Sequence, residues 1–218
     1  MGRFRIAILI CAYNEKKTVR KVIKQVKRLG EVFLIDDGST DGTFSEIKDL
    51  KINYYKNKEN IGYENSIFRG FRIISNKKFD FLATMDADGQ HTSTSIKKLL
   101  SQINKYDIVI GSRKKKNNIS ENLLSFFTKK YLNLNDILCG LKAYRLKKFE
   151  KYTPNNSNLI GTNYLFYAIK KNLKIKEVKI NSKLRKYGNS KFYSKITNYL
   201  KIFQVILKIL KTGKKNDS

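Results

Sequence analysis

Phe79-Asp80-Phe81-Leu82-Ala83-Thr84-Met85-Asp86-Ala87-Asp88-Gly89-Gln90-His91 is the stretch whose reading decides the fold. The apolar run from Phe79 to Met85 suits a buried strand. Directly after it, two carboxylates stand one residue apart in a compact, oxygen-rich turn. Such a turn suits a hard divalent cation, Mg²⁺ or Mn²⁺, carrying a diphosphate. The chain has 46 Lys and Arg against 18 Asp and Glu, so there is little reason to set carboxylates together unless a cation sits between them. By itself Asp-x-Asp is also an ordinary acidic surface turn, and its neighbours settle which it is.

Outward from that turn, apolar runs alternate with amphipathic stretches. Strand-like segments at 4–10, 32–35, 52–55, 79–85 and 107–110 are separated by helix-like segments at 16–29, 44–50, 63–75 and 95–103. Near-continuous apolar strands joined by helices predict a mostly parallel sheet covered on both faces, an α/β fold. Thr43-Phe44-Ser45-Glu46 has capping-box spacing for the second helix. Farther on, the pattern predicts helices at 121–132 and 159–170, strands near 138–145 and 175–180, and a basic loop over 181–193. At 218 residues with 41% hydrophobic content, one domain is the economical reading. Its expected span is 1–193, followed by an amphipathic helix and basic tail over 194–218.

The formal charge of +28 would ordinarily suggest nucleic acid or an anionic membrane as partner. Lysine is spread almost everywhere, however, without a concentrated aromatic-lined groove, so nucleic acid is not the expected partner. Cys11 and Cys139 form neither a C-x-x-C pair nor a disulfide framework, which fits a reducing, cytoplasmic setting. The segment from Phe4 to Ile10 is too short for a signal-peptide core and leads straight into motif residues, so no export is expected.

Ligands of open parallel sheets bind beyond the carboxyl ends of the strands. The loops after the predicted strands carry unusual residues: Cys11-Ala12-Tyr13-Asn14-Glu15, then Asp36-Asp37-Gly38-Ser39-Thr40-Asp41-Gly42-Thr43, then Asp86 to His91, then Gly111-Ser112-Arg113. A strand-end carboxylate accepts the imide N–H of uracil or guanine, and an aromatic such as Tyr13 packs on a ring. Gln90 adds an oxygen beside the carboxylates, and the Arg113 guanidinium suits a phosphate. Each motif alone has a plain reading as a tight turn or a solvated basic loop. His91, the only histidine, reads first as loop packing.

Together, in this order and spacing, these motifs resemble the inverting family 2 glycosyltransferases of the GT-A fold, particularly the dolichol-phosphate mannosyltransferase-like and polyprenyl-phosphate glycosyltransferase branch. Two later stretches complete the resemblance. These are Asp136 with Cys139-Gly140-Leu141-Lys142-Ala143-Tyr144-Arg145, and Arg185-Lys186-Tyr187-Gly188-Asn189-Ser190-Lys191. The Gln-x-x-Arg-Trp motif of other members is missing. The resemblance implies that Cys11, Tyr13, Glu15, Ile35 and Asp37 surround the nucleoside of a UDP- or GDP-sugar. It implies that Asp88 and Gln90 hold the metal with Asp86 beside it, that Ala87 belongs to the nucleotide-sugar site, and that Arg113, Arg185 and Lys191 meet the diphosphate or the acceptor phosphate. Two positions depart from the family: Cys11 stands where proline is usual, and Tyr63 where lysine is common.

On that resemblance, the departing nucleotide's charge is stabilised by a divalent cation and fixed cations, Asp88 and Arg185 among the catalytic groups. A hydroxyl acceptor needs a general base, for which Asp136 is the candidate, whereas a polyprenyl phosphate is already anionic. The stretch from Lys195 to Lys211 sets a lysine stripe against a broad apolar face, which suits a helix in a membrane interface or one packed on the domain. The expected enzyme is therefore peripheral on the cytoplasmic membrane face. A transferase to a glycan hydroxyl and a non-catalytic membrane scaffold are the alternatives.

Overall fold

Among the described residues seven strands carry the apolar runs: β1 (Ile6–Ala12), β2 (Glu31–Asp36), β3 (Asn53–Lys56), β4 (Phe81–Asp86), β5 (Ile108–Arg113), β6 (Lys142–Arg145) and β7 (Ile175–Ile180). The helices are α1 (Val19–Val26), α2 (Tyr63–Ser75), α3 (Ser93–Leu100), α4 (Ile119–Leu132), α5 (Asn163–Lys170) and α6 (Ile196–Gly213). The computed structural model describes residues 4–114, 119–153, 161–183, 185, 187 and 196–213.

The strands form one sheet in the order β3-β2-β1-β4-β6-β5-β7. All the pairings are parallel except those of β6, which runs antiparallel between β4 and β5. Side chains alternate across each strand, and both faces are buried. Ala7, Leu9 and Cys11 of β1 join the core built with α2, α4, α5 and α6, whereas Ile8, Ile10 and Ala12 join the core built with α1 and α3. This is why the strand sequences read as continuous apolar runs rather than alternating ones. Helix α1 buries Val19, Val22, Ile23 and Val26, the i, i+3, i+4, i+7 stripe of an amphipathic helix, each worth about 1.5–3 kcal/mol when fully buried.

Two elements differ from the sequence expectation. The segment 44–50 forms only a single 3₁₀ turn, Thr43–Glu46. The Thr43 hydroxyl makes no cap there; it donates to Asp41 Oδ1 and accepts from the Glu15 N–H, so local side-chain bonding outcompetes helix growth. The helix expected over 159–170 runs only over Asn163–Lys170 in the described residues.

Helix α6 packs along α4. Ile202, Val205, Ile206 and Ile209 are buried in the same core as α2 and α5, and the Lys208 ammonium lies 4.6 Å from the centroid of the Phe166 ring. Much of the apolar face of this helix is thus spent within the fold. Phe203 and Leu207 remain outside it, 58% and 42% exposed. No helix among the described residues is long and apolar enough to cross a membrane.

Candidate active site

Strand register brings the motif residues together. Cys11 on β1 lies opposite Ile35 on β2 on one side and Asp86 on β4 on the other. The loops after these strands therefore leave from one edge of the sheet. Because β6 is antiparallel, the Asp136–Leu141 segment that leads into it opens at that same edge.

The loop after β2 serves largely to hold the loop after β1. Ser39 Oγ accepts from the Asn14 N–H at 2.9 Å, Asn14 Oδ1 accepts from the Thr40 N–H at 2.8 Å, and Asp41 Oδ2 accepts from the Lys16 N–H at 3.1 Å. Asn14 itself takes the left-handed conformation, φ 54°. Asp36 is tied to the Ser39 N–H and the Tyr54 hydroxyl, each at 2.8 Å. Asp37 accepts from Asn57 Nδ2 and the Ile61 N–H through Oδ1, and from the Gly62 N–H through Oδ2 at 3.0 Å. Ile35 is fully buried, Cys11 and Ala87 are buried, and Tyr13 is half-buried. Burial, followed by the charges of Asp86 and Asp37, pushes the Cys11 thiol well above its ordinary range, so it stays protonated and unreactive.

Asp86 is fixed from several sides. Its carboxylate packs against Gly140, where a Cβ would lie 2.2 Å from Oδ2 and would force the carboxylate to move. His91 Nε2 lies 3.4 Å from Oδ2 of the same carboxylate. Burial works to raise the Asp86 pKa, but the contacts with His91, together with Lys142 and Tyr63, hold it below the ordinary carboxylate range.

Asp88, two residues on, behaves oppositely. Burial first, and the adjacent Asp86 charge second, push its pKa up to about 6. Its Oδ1 accepts from the Gln90 N–H at 2.9 Å, and its Oδ2 accepts from Arg185 Nη1 at 3.3 Å. Arg185 also donates to Glu15 Oε1 at 2.5 Å, so one guanidinium bridges the loops after β1 and β4. Main-chain pairing delivers it there. The Lys183 N–H donates to the Gln90 carbonyl at 2.8 Å, Gln90 Nε2 donates back to the Lys183 carbonyl at 3.3 Å, and His91 forms a β-bridge with Ser182. Lys191 lies outside the described residues.

Two of the expected site residues meet each other in the structure. Arg113 was expected at a phosphate and Asp136 at an acceptor hydroxyl, but the structure binds them to each other. Arg113 Nε and Nη2 donate to Asp136 Oδ2 and Oδ1 at 2.7 and 2.9 Å, and Nη2 also reaches Glu121 Oε1 at 3.3 Å. Asp136 is 3% exposed and the Arg113 side chain 10%, so the pair is a buried fork with both carboxylate oxygens taken. A general base at Asp136 would first have to break this fork.

Sequence reasoning also passed over residues that frame the site. Lys142 is buried, donating to the Gly161 carbonyl at 3.3 Å, and its burial lowers its pKa despite the surrounding acids. Glu64 is buried beside it, accepting from the Gly161 N–H and from Asn163 Nδ2. A lysine within the apolar run from Leu141 to Tyr144 was a visible signal. Nothing comparable marked Glu64, which follows the half-exposed Tyr63.

An α/β sheet of this order, with paired carboxylates and a bridging arginine at the strand ends, is the GT-A architecture. The chain belongs to glycosyltransferase family 2, whose model, described as "Glycosyl transferase family 2", matches residues 7–168, and the protein is a glycosyltransferase. It is 26% identical over 246 residues to the UDP-N-acetylglucosamine--dolichyl-phosphate N-acetylglucosaminyltransferase of Methanococcus voltae, covering 96% of this chain and 97% of that one. It is 28% identical over 163 residues to the undecaprenyl-phosphate mannosyltransferase of Micrococcus luteus, covering 65% and 66% of the two chains. The fold also matches glucosyl-3-phosphoglycerate synthase from Mycobacterium tuberculosis, crystallised with Mn²⁺, UDP and phosphoglyceric acid, with a TM-score of 0.76 at 15% identity over 94% of this chain and 78% of that chain.

Proposed function

We propose that this family 2 enzyme transfers a sugar from a nucleotide-diphosphate donor to a polyprenyl phosphate, with a divalent cation at Asp86 and Asp88, on the cytoplasmic face of a membrane. The observation that carries the acceptor half is the Arg113–Asp136 fork. With both oxygens of Asp136 engaged, the best-placed candidate for deprotonating a hydroxyl is already in use, and an anionic phosphate acceptor needs no such base. The relatives named for dolichyl and undecaprenyl phosphate support the same acceptor class.

The residues present fit a cation. Two carboxylates stand two residues apart, Asp88 destabilised as an anion by burial first and by the charge of Asp86 second, and a bound cation would relieve that repulsion. Among the described residues no group of three or more His, Cys, Asp or Glu is arranged to hold a metal. A small hard ion would be held here by one or two carboxylates, with Gln90 nearby, and completed by the donor's phosphate oxygens. When bound, the ion would neutralise charge developing on the departing diphosphate. The related fold crystallised with Mn²⁺ and UDP supports this reading.

The rest falls to the chain's own side chains. The loops at Cys11–Glu15 and Asp37 border the nucleoside end, with the Asp37 carboxylate already anchoring residues 57–62. Arg185, standing between Glu15 and Asp88, would exchange those carboxylates for phosphate oxygens as the substrates arrive. The exposed Phe203 and Leu207 on α6, in a strongly basic protein, would meet the membrane surface.

The test incubates the full chain with labelled UDP- and GDP-sugars and membrane lipids, with and without chelator. The reading expects label in the organic phase that chelator abolishes. Label confined to the aqueous phase would remove the lipid acceptor, and chelator-insensitive transfer would remove the cation.

A further inference from the structure

His91 is the only histidine of the chain, and its side chain is 3% exposed. One ring nitrogen, Nε2, faces Asp86 Oδ2 at 3.4 Å, while the other, Nδ1, is a buried polar atom with no hydrogen-bond partner among the described residues. Buried polar atoms are rarely left so, and a ring needed only to fill space would be apolar without that cost. The mount of this ring is rigid. On one side His91 bridges to Ser182 at the end of β7. On the other, α3 begins at once, capped by the Thr92 hydroxyl, which accepts from the Ser95 N–H at 3.1 Å.

Its target is confined as well. Gly140 packs under the Asp86 carboxylate, so a contact from Nε2 on another side restricts it further. A neutral imidazole has one N–H to place. On Nδ1, it would be a buried donor with no acceptor, and the Nε2 lone pair would point at an anionic oxygen. On Nε2, it donates to Asp86, and only a lone pair is left unused.

We propose that His91 is a positioning residue: its Nε2–H fixes the orientation of the Asp86 carboxylate, and so the geometry of the paired carboxylates after β4. This rests on the reading of Asp86 and Asp88 as the cation and diphosphate site. The 3.4 Å separation is long for a hydrogen bond, and such contacts commonly shorten once a complex forms. His91 need not touch the substrate or the cation itself.

The single histidine makes the test direct. In the full-length protein labelled with ¹⁵N, the only imidazole signals belong to His91 and report which nitrogen carries a proton. A ring protonated at Nε2, whether or not Nδ1 is protonated too, whose signal moves in Asp86→Asn supports the proposal. A ring bare at Nε2, or one indifferent to Asp86→Asn, overturns it. In parallel, His91→Leu is expected to lower kcat about ten- to a hundredfold, the scale of a hydrogen bond to a charged group, and to raise the Mg²⁺ concentration needed for half the maximal rate. His91→Gln, which can present an amide N–H near the Nε2 position, is expected to restore most of that loss. Thermal midpoints of both variants separate positioning from folding: equal loss in Leu and Gln at unchanged stability, or no loss in either, contradicts the proposal. If no donor supports transfer, the reading of the site fails, and the ring signal and its response to Asp86→Asn still decide the role of His91.

Discussion

Arg113 and Asp136, 23 residues apart in sequence, close a two-bonded fork at 2.7 and 2.9 Å at the edge of the sheet where the motif loops gather. The fork joins the end of β5 to the segment that leads into the antiparallel β6, and the Arg113 N–H adds a third bond to Asp136 Oδ2 at 3.0 Å. Removing Arg113 leaves the buried Asp136 carboxylate without its cation, whereas removing Asp136 leaves Arg113 its longer contact with Glu121 at 3.3 Å. Arg113→Ala is expected to destabilise the fold by about 3–5 kcal/mol and Asp136→Ala by less. The double variant should cost clearly less than the sum of the two, because the partners share one interaction. Urea unfolding of the three variants checks this; simple additivity would mean that the fork contributes little.

Gly140 offers a sharper probe of the site. Gly140→Ala would set a methyl 2.2 Å from Asp86 Oδ2, in backbone geometry that a non-glycine residue otherwise tolerates. The carboxylate must therefore move. The expected result is loss of cation-dependent donor binding by calorimetry, with a smaller change in thermal midpoint. Unchanged donor affinity in a folded Gly140→Ala protein would show that the orientation of Asp86 does not matter.

Glu64 predicts a pH effect on stability. Burial raises its pKa in the folded protein, although the bonds from Gly161 and Asn163 and the charge of Lys142 oppose the shift. With the folded pKa above the unfolded one, the folded state holds the extra proton, so this group's contribution to stability improves as pH falls from neutral and levels off below about 4.5, the ordinary range of a glutamate. The stability difference between native protein and Glu64→Gln should shift in favour of the native protein over that window. A difference flat with pH would contradict the assignment.

On α6 the two faces separate folding from docking. Ile206→Asp puts a charge into the core and should unfold or severely destabilise the protein. The pair Phe203→Ser and Leu207→Ser alters only exposed positions and should change the folding free energy by no more than about 1 kcal/mol while weakening sedimentation with anionic vesicles. Undiminished vesicle binding would mean that another surface meets the membrane.

The parts legible in the sequence were those written in local pattern. β1, β2 and β4 are buried on both faces, so each is an apolar run, and the loops that follow are marked by Tyr13, Asp37 and Asp86. The antiparallel insertion of β6 was not legible, because periodicity reveals a strand but not its partners. Nor was the Arg113–Asp136 fork: each residue alone suggested an outward-facing role, and only the sheet order brings them into contact. His91 looked like packing because nothing local shows that one nitrogen faces Asp86 and the other has no partner among the described residues. On α6 the sequence displayed an amphipathic face, but what covers that face depends on where the helix docks, and Ile202, Val205, Ile206 and Ile209 are covered by the domain itself.

The central claim is that Asp88, with Asp86 beside it, couples a divalent cation to the donor's diphosphate. Titrating UDP- and GDP-sugars into native protein and a folded Asp88→Asn variant, with and without Mn²⁺, tests it most directly. The account predicts tight binding only for native protein with the cation present, and near-equal weak binding in the other three conditions. Cation-dependent binding that survives intact in Asp88→Asn would contradict it.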